Sequence, residues 1–346
     1  MRKLASIQKI SSVEPIEGAD RIELAHVLGW QCVVNKGQFS PDDKAVYFEI
    51  DSYLPIKPEF EFLRKSCYKN TPLMGEGFRL RTMKFKGQIS QGLLLPVSQF
   101  SEIPQDVEVG TDVSELLGVR KWEIEERAST GGTIKGTLPS SIPHTDETRV
   151  QNMPEFISEF AGLEYYISTK MDGSSHSISL DDDGFHVTGH NYEYKDDGVS
   201  SFYNLANERG YKEKMETFVK NADIKTLTVQ GELCAPGIQK NRLRLTNPEW
   251  YVFTVIEDGK RVGLNRMLEI CEELEMTHVP IEEIDTDFPV KYPTVEAVLE
   301  RAEGEYPNGG KKEGIVIRPT EPVYSELLQT DLSMKAVSNK YLLKNE

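Results

Sequence analysis

The sequence has no long hydrophobic run and few cysteines, and each shortage excludes a class of protein. No stretch of its 346 residues reaches the roughly 18 apolar residues of a membrane-spanning helix. The N-terminal segment MRKLASIQKISSVEPIEGAD lacks the apolar core of a secretory signal. The four cysteines are far apart and form no C-x-x-C pair, which argues against a disulfide scaffold or a zinc ribbon. We therefore expect an intracellular, cytoplasmic protein in a reducing compartment.

Basic residues and metal-binding motifs are also scarce. The chain has 40 Lys and Arg against 56 Asp and Glu, a formal net charge of −16. This acidic balance argues against indiscriminate nucleic-acid binding, although it leaves room for a local basic surface. The histidines show no metal-ligand spacing, and there is no Walker A sequence, so neither a zinc site nor a P-loop is expected.

The order of strand and helix patterns predicts two domains. Runs of β-branched, aromatic and alternating residues, bounded by Gly, Pro, Asn and Asp, occur at 24–34, 44–50, 78–86 and 92–97. Short strands at this density suggest a small barrel, for which the OB type is one candidate. Residues 129–143, STGGTIKGTLPSSIP, show no periodicity and are expected to form an interdomain linker or a mobile active-site loop.

Strand and helix patterns are mixed in the second half. Strands are predicted at 164–169, 185–189, 226–233, 250–256, 314–318 and 332–337, and helices at 201–220, 264–276 and 294–303. We therefore expect an α+β protein. Its domains are an OB-type β-barrel over 1–118, a linker over 119–148 and an antiparallel-sheet domain over 149–346.

One segment combines the groups that covalent catalysis by lysine requires. In YYISTKMDGSSHSISL, Lys170 follows an apolar strand and precedes Asp172 and Gly173. A lysine in a cleft becomes a nucleophile when burial or nearby cations lower its pKa, because both disfavour the ammonium form. Gly173 permits a tight turn, and Asp172 could hold a metal ion or orient the amine. The same K-x-D-G pattern is equally typical of a strand that ends in a solvated turn.

Four further segments decide between these interpretations. They are QGELCAPGIQKN at 230–241, WYVFTV at 250–255, KKEGIVIR at 311–318 and SMKAVSNKY at 333–341. In this order and spacing, the set resembles the motifs of the covalent nucleotidyltransferase superfamily, which contains DNA ligases, RNA ligases and mRNA capping enzymes. The resemblance implies an ATP-grasp-like ligase domain over 149–346.

The first half of the sequence narrows the resemblance to one branch of the superfamily. PIEGADRIELAHVLGW, AVYFEIDSYLP and RTMKFKGQISQGLLLP are similar to the OB domain that precedes the catalytic domain in one branch of ATP-dependent RNA ligases. DNA ligases and capping enzymes usually carry an OB domain after the last shared motif. The five residues that follow Tyr341 leave no room for one, so the domain order favours an RNA ligase.

The resemblance implies a role for each matching residue. Lys170 attacks the α-phosphate of ATP, and Lys335 contacts that phosphate and depresses the pKa of Lys170. Phe253 stacks on adenine, with Ile315 or Val316 behind the other face. The metal ligands, for Mg²⁺ or Mn²⁺, are Glu313, Glu232 and Asp172. The implied nucleotide-binding set is Arg149, Thr169, Asp172, Gly173, Glu232, Phe253, Ile315, Lys335 and Lys340. The alternatives are surface carboxylates, a core aromatic and a structural arginine.

The sequence departs from the family pattern in three places. His190 and Asn191 stand where many relatives have an Arg-Asn pair, and histidine binds phosphate only when protonated. Val337 stands where some relatives have a second lysine, a charge that Lys340 could supply. Ser175 stands where some relatives have asparagine. We expect these changes to leave lysine adenylylation intact and to affect the sealing steps.

A basic stretch in the first half suggests a surface for nucleic acid. Its basic residues are Arg64, Lys65, Lys69, Arg79, Arg81, Lys84 and Lys86, against the single acid Glu76. Arg79 and Arg81 are expected on one strand face, and so are Lys84 and Lys86. With Phe78 and Phe85 between them, these residues would meet phosphates rather than bases. The alternative is a solvated β face.

Together these features predict an ATP-dependent RNA ligase. It would join 3′-hydroxyl and 5′-phosphate RNA ends, in duplexed or nicked RNA, through a covalent lysyl-AMP on Lys170. We expect a monomer that acts in RNA repair, with Arg79, Arg81, Lys84, Lys86 and His190 contacting RNA. One alternative is a relative with another specificity, a DNA ligase or a guanylyltransferase. The other is an RNA-binding OB protein whose catalytic half is impaired.

Overall fold

The computed structural model describes residues 2–123 and 132–345, and these form two compact units. Unit 1 contains residues 1–125, 151–154 and 342–346, and unit 2 contains residues 126–150 and 155–341. Residues 124–131, which belong to the predicted linker, lie outside the described residues.

Unit 1 is built almost entirely from short strands. They are β1 (Ala5–Lys9), β2 (Ser12–Pro15), β3 (Ile22–Val27), β4 (Trp30–Asn35), β5 (Lys44–Phe48), β6 (Ser52–Leu54), β7 (Tyr68–Thr71), β8 (Gly75–Arg79), β9 (Met83–Phe85), β10 (Gln88–Ser90), β11 (Leu93–Pro96) and β12 (Arg120–Lys121). They pair as β1-β5-β11, β2-β3-β4, β12-β6-β8-β7 and the hairpin β9-β10. A core that includes Phe48, Phe60, Phe78 and Phe100 is formed with residues of β1, β5, β6, β8 and β11.

Unit 2 contains two larger sheets. Its strands are β13 (Ile134–Thr137), β14 (Thr148–Arg149), β15 (Glu164–Lys170), β16 (Ser174–Asp181), β17 (Gly184–Thr188), β18 (Tyr192–Tyr194), β19 (Leu227–Cys234), β20 (Glu249–Glu257), β21 (Lys260–Arg261), β22 (Ile281–Thr286), β23 (Gly314–Pro319), β24 (Tyr324–Ser325), β25 (Thr330–Asp331) and β26 (Met334–Val337). The seven-stranded sheet has the order β13-β18-β17-β16-β19-β20-β21, and the five-stranded sheet has the order β14-β26-β23-β15-β22. In the five-stranded sheet β14 and β26 run parallel, and the other neighbours run antiparallel.

Helices are short throughout the described chain. They are α1 (Arg64–Cys67), α2 (Ser114–Leu117), α3 (Phe156–Glu159), α4 (Ser201–Glu208), α5 (Tyr211–Ala222), α6 (Leu264–Glu273), α7 (Phe288–Lys291), α8 (Val295–Arg301) and α9 (Asn339–Asn345). Short 3₁₀ segments cover Pro58–Leu63, Val97–Gln99 and Val150–Asn152. Helices α4, α5 and α6 bury their apolar faces on the seven-stranded sheet in one core that contains Trp250, Phe202 and Met267.

The structure divides three of the predicted elements and adds one. The strand predicted over 24–34 is divided into β3 and β4, which pair with each other as an antiparallel hairpin. The helix predicted over 201–220 is divided into α4 and α5, because Gly210 adopts a left-handed backbone with φ of 63°. The strand predicted over 78–86 is divided as well, since β8 ends at Arg79 and β9 begins at Met83. Within the predicted linker, β13 pairs with β18 at the edge of the seven-stranded sheet.

Two expectations about chemistry and location can be compared with the structure. All four cysteines are buried as free thiols, as their spacing predicts. Within residues 2–123 and 132–345, every helix is too short or too polar to cross a membrane.

Candidate active site

The predicted nucleophile stands at the last position of a buried strand. Lys170 ends β15 and is paired in register with Gly314, the first residue of β23. This pairing brings the residue before Gly314 close, and Lys170 Nζ lies 3.0 Å from Glu313 Oε1. A Cβ at Gly314 would lie 2.1 Å from the carbonyl oxygen of Ala336, so only glycine allows β23 and β26 to approach here. The structure therefore brings the Lys170 segment into contact with the segment KKEGIVIR, which contains Glu313.

Strand register also places the last motif on the same face. Val316 is paired with Ser168 on β15 and with Lys335 on β26. Because alternate residues of a strand share a face, Val316 and Lys335 lie on the face that carries Ser168 and Lys170. Lys335 therefore lies on the same face of the sheet as Lys170.

The second sheet contributes a carboxylate from β19. Glu232 is paired in register with Ser175 and Tyr251, and its Oε1 accepts a hydrogen bond of 3.0 Å from the backbone N–H of Gly173. A Cβ at Gly173 would meet the carbonyl oxygen of Leu233 at 2.3 Å, so this position also requires glycine. The turn after Lys170 is thus held directly against the segment that carries Glu232.

The carboxylates of the site are crowded around one cation. Burial raises the pKa of Glu232, the charges of Glu313 and Asp172 add to the rise, and Lys170 only partly offsets it, so the pKa is about 7. Burial lowers the pKa of Lys170, but Glu313 and Glu232 outweigh burial and hold it above its ordinary value. The amine is therefore an ammonium here, and the two carboxylates beside it, Glu313 and Glu232, carry more negative charge than it neutralises.

This excess negative charge fits a divalent cation. Within residues 2–123 and 132–345, no three His, Cys, Asp or Glu side chains are grouped so that they alone could hold a metal ion. Mg²⁺ usually binds one or two carboxylates together with water and substrate phosphates, so an all-protein cage is not needed. Glu232 and Glu313 provide such a pair.

The carboxylate of Asp172 is held by two other side chains of unit 2. Its Oδ2 lies 2.9 Å from Nε of Arg242, and its Oδ1 accepts a hydrogen bond of 2.7 Å from the hydroxyl of Tyr341. The side chain is only 6% exposed. Both carboxylate oxygens therefore already have partners.

Aromatic and aliphatic side chains face each other between the two sheets. Arg318, two residues after Val316 on β23, donates a 2.6 Å hydrogen bond to the backbone oxygen of Phe253, and its guanidinium carbon lies 5.9 Å from the Phe253 ring centre. Phe253 therefore faces the surface of the five-stranded sheet that carries Val316. Ile315 is fully buried and is paired with Thr169, on the other face. The register thus favours Val316 over Ile315 as the partner of Phe253.

A cavity of about 420 Å³ is lined by the two residues adjacent to Lys170 in sequence. Its wall includes Thr169 and Met171, which flank Lys170, together with Tyr251. At its polar end the hydroxyl of Thr169 donates a 2.6 Å hydrogen bond to Oε1 of Glu282. The same oxygen lies 2.8 Å from Nζ of Lys312. Thr169 was expected near the nucleotide, whereas the apolar wall and the Glu282–Lys312 pair were not predicted.

The remaining nucleotide and RNA candidates occupy different positions. Arg149 is buried on β14 and is paired in parallel register with Lys335. The side chain of Lys340 is 65% exposed, and its Nζ lies 3.8 Å from Oε2 of Glu303. Nε2 of His190 lies 3.7 Å from Oδ2 of Asp146. The structure thus associates Arg149 with the motif lysines and places Lys340 beside an acidic partner.

The basic stretch of unit 1 does not form the two strand faces that we expected. Arg79 is the last residue of β8, whereas Arg81 lies beyond the strand. Nη2 of Arg79 lies 3.6 Å from Oδ1 of Asp51, and its guanidinium carbon lies 5.1 Å from the centre of the Trp122 ring. Lys84 is on β9, but Lys86 is in the hairpin turn with φ of 48°. The sharing of strand faces is therefore wrong, because β8 ends before Arg81 and Lys86 lies in the turn that follows β9.

Sequence reasoning missed the residues that brace the motif turn. The hydroxyl of Tyr306 donates a 2.7 Å hydrogen bond to the carbonyl oxygen of Lys170 and accepts one of 3.2 Å from the N–H of Glu313. Arg242 and Tyr341 hold Asp172. All three lie close to a motif in sequence, and this proximity was the only signal available.

Comparisons with known proteins agree with this geometry. A family model described as an OB-fold domain matches residues 4–97, and one described as RNA ligase matches residues 163–337. A comparison with curated proteins finds no match.

Solved structures of one enzyme are similar over nearly the whole chain. Naegleria gruberi RNA ligase with PPi is 33% identical, with a TM-score of 0.88 and coverage of 99% of both chains. A mutant of that ligase with ATP and Mn is 32% identical, with a TM-score of 0.89 and the same coverage. Another mutant, with AMP and Mn, is 32% identical, with a TM-score of 0.88 and the same coverage. The expected OB domain and the α+β ligase domain are thereby confirmed.

Proposed function

Because the chain belongs to the RNA ligase family, we propose that it seals RNA 3′-hydroxyl and 5′-phosphate ends at breaks in duplexed RNA, with Lys170 as the nucleophile. It is an ATP-dependent RNA ligase with an N-terminal OB domain. The ends, the duplex context, the monomeric state and the residue roles below are the parts that we propose.

The observation that carries the assignment is the ion pair between Lys170 and Glu313. It joins two motifs more than a hundred residues apart, with Glu232 coupled to both through its raised pKa. A lysine that served only structure would gain little from a second carboxylate beside its partner. A nucleotidyl-transfer site needs such carboxylates, because it must hold a divalent cation beside the amine.

The first step is the adenylylation of Lys170. Lys170 releases its ammonium proton to solvent, and the neutral amine forms a bond to the α-phosphorus of ATP. The bond between that phosphorus and the bridging oxygen of the β-phosphate breaks, and pyrophosphate leaves. Glu313 and Glu232 hold the metal ion, whose positive charge favours the neutral amine and spreads the charge of the transition state when it is bound. Lys335 and Arg149, on adjacent strands, meet the phosphates.

The adenine ring lies between Phe253 and Val316. Phe253 belongs to the seven-stranded sheet and Val316 to the five-stranded sheet. A planar base between them stacks on the ring of Phe253 with one face and on Val316 with the other. Ile315 supports this surface from the opposite side of β23.

The two later steps consume the lysyl-AMP. The RNA 5′-phosphate oxygen attacks the AMP phosphorus, the phosphorus–nitrogen bond breaks, and an adenylylated RNA end forms. The 3′-hydroxyl oxygen then attacks the 5′-phosphate, and AMP leaves as the phosphodiester forms. The exposed hairpin residues Lys84 and Lys86 contact the RNA backbone, and His190 contacts the end being sealed.

A labelled-nucleotide gel followed by a sealing assay tests this function. The protein is stripped of AMP and incubated with Mg²⁺ and α-labelled ATP or GTP, beside Lys170→Met. We expect label from ATP only, none on Lys170→Met, and faster sealing of nicked RNA duplexes than of single strands or of nicks with a DNA 3′ end.

Each alternative outcome points to another function. Label from GTP would indicate guanylyltransferase chemistry, and efficient sealing of all-DNA nicks would indicate a DNA ligase. Absence of label with Mg²⁺ and Mn²⁺, together with binding of nicked RNA, would indicate an impaired RNA-binding protein.

A further inference from the structure

The turn that follows Lys170 is held by contacts at three of its residues. The carbonyl of Lys170 accepts from Tyr306, and the N–H of Gly173 donates to Glu232. Between them, Asp172 is bound by Arg242 and by Tyr341. These contacts come from four separate segments, so the turn is fixed by tertiary structure rather than by its own sequence.

The Asp172 contacts form a closed triad. The guanidinium carbon of Arg242 lies 4.9 Å from the centre of the Tyr341 ring, so the two partners of the carboxylate also contact each other. Arg242 is 12% exposed and Asp172 is 6% exposed. Loss of one partner from an ion pair with so little solvent contact leaves an uncompensated buried charge, which costs far more than breaking a surface pair.

We propose that Arg242 and Tyr341 are positioning residues for lysine adenylylation: they hold Asp172, and through it they aim Lys170 at the α-phosphate. This proposal rests on the function proposed above. Asp172 is two residues from the nucleophile, and a side chain anchored that closely fixes the direction in which the strand ends. A misplacement of about 1 Å in a reacting group can cost roughly 100-fold in rate.

The contacts favour this role over direct binding of ATP. Arg242 lies against the carboxylate of Asp172, and the hydroxyl of Tyr341 donates its proton to that same carboxylate. A phosphate-binding arginine would instead present its guanidinium to the ligand. Replacement of Arg242 or Tyr341 should therefore slow the chemical step without weakening the binding of ATP.

Single-turnover adenylylation tests the proposal. The rate is measured against ATP concentration for Arg242→Gln, Tyr341→Phe and Asp172→Asn, and for each of the first two combined with Asp172→Asn. We expect each of the first two to lower the maximal rate at least tenfold and to leave the half-saturating ATP concentration within about twofold. Arg242→Lys, which keeps the charge, should recover most of the rate.

The double variants separate positioning from general structural support. If both residues act through Asp172, their substitutions should lower the rate by less than about twofold once Asp172→Asn is present. Full multiplication of the effects would overturn the proposal, and so would a raised half-saturating concentration at an unchanged maximal rate.

Two controls keep the outcome interpretable. Arg244, two residues from Arg242, is exposed, and Arg244→Gln should adenylylate at the unaltered rate. Tyr341→Phe removes a single oxygen, so it tests the proposal even if Arg242→Gln does not fold. Failure of the unaltered protein to take up label would contradict the proposed function itself, whereas normal labelling by all variants would contradict only the positioning role.

Discussion

Lys170 Nζ lies 3.0 Å from Glu313 Oε1, so the proposed nucleophile is held as one half of an ion pair. An ammonium group has no lone pair with which to attack phosphorus, and the neighbouring carboxylates hold the pKa of this lysine above its ordinary value. The protein alone therefore keeps the nucleophile inactive. Activation requires positive charge to arrive at Glu313 and Glu232, and this links the chemistry to nucleotide and metal binding.

Glu313→Gln removes one charge from this arrangement. We expect adenylylation to fall roughly 10²- to 10³-fold, because the site no longer has a preorganised group that holds charge at the reacting centre. Single-turnover labelling with ATP measures the effect. Glu269→Gln is the matched control, since Glu269 is 65% exposed and pairs with Arg266 on α6, away from the motifs. Equal rates for Glu313→Gln and the unaltered protein would remove Glu313 from the mechanism.

Metal affinity should depend on pH through Glu232. Its pKa is raised to about 7, and only the ionised carboxylate binds a cation. Below pH 7 protons therefore compete with the metal, and the affinity for Mn²⁺ should fall up to about tenfold per pH unit. Electron paramagnetic resonance of free Mn²⁺ at pH 6 and pH 8 measures this. Glu232→Gln should bind Mn²⁺ more weakly and with a flatter pH profile, and a steep profile in that variant would implicate another group.

The sequence predicted the site better than it predicted the surfaces around it. Motif order located Lys170, Glu232, Glu313 and Lys335, because chemistry restricts residue type at those positions. It could not choose between Ile315 and Val316, since neighbouring residues of one strand differ only in the face that register assigns to them. That register depends on pairing partners distant in sequence.

The missed features share the same physical origin. The contacts of Asp172 with Arg242 and Tyr341 were not predicted, because these partners come from a loop and a helix that no local pattern connects to it. The strand over 78–86 was predicted as one run, because its residue pattern continues through 80–82, which lie between β8 and β9 and belong to neither. Local composition records neither long-range partners nor the point at which pairing with a partner strand ends.

Val316→Ala and Ile315→Ala should have different effects although they are neighbours. Val316 is partly exposed on the face of Lys170, so its truncation should raise the half-saturating ATP concentration severalfold with little change in stability. Ile315 is fully buried, and its truncation should cost about 2–5 kcal/mol of unfolding free energy. ATP titration and urea unfolding of both variants provide the comparison. The reverse pattern would place the base on the other face of β23.

The hairpin of β9 and β10 should bind RNA phosphates. Lys84 and Lys86 are exposed there, beside the exposed ring of Phe85. Replacing both lysines with alanine should weaken binding of nicked RNA and reduce the slope of log affinity against log salt by about one for each phosphate that is no longer neutralised. Adenylylation should be unchanged. Alanine at Lys212 and Lys220, exposed on α5, is the matched control, and an equal weakening there would reduce the effect to net charge.

The buried pair of Glu147 and Arg318 should control stability in acid. Burial alone would raise the pKa of Glu147, but Arg318 and Arg261 outweigh it and hold the pKa at about 2. A carboxyl whose pKa is lower in the folded than in the unfolded protein stabilises the fold above the unfolded value of about 4.5, and this stabilisation disappears as the pH falls towards 2. Glu147→Gln should flatten stability in that window.

At neutral pH the same variant leaves Arg318 buried without its counter-charge. We expect the unfolding free energy to fall by about 3–5 kcal/mol, the usual result of breaking a buried ion pair from one side. Glu216→Gln, in the exposed pair with Lys212, should change stability by less than about 0.5 kcal/mol. Urea unfolding at pH 7 and pH 4 measures both variants. Equal changes for the two would mean that Arg318 is sufficiently satisfied by the Phe253 carbonyl and the Thr254 hydroxyl.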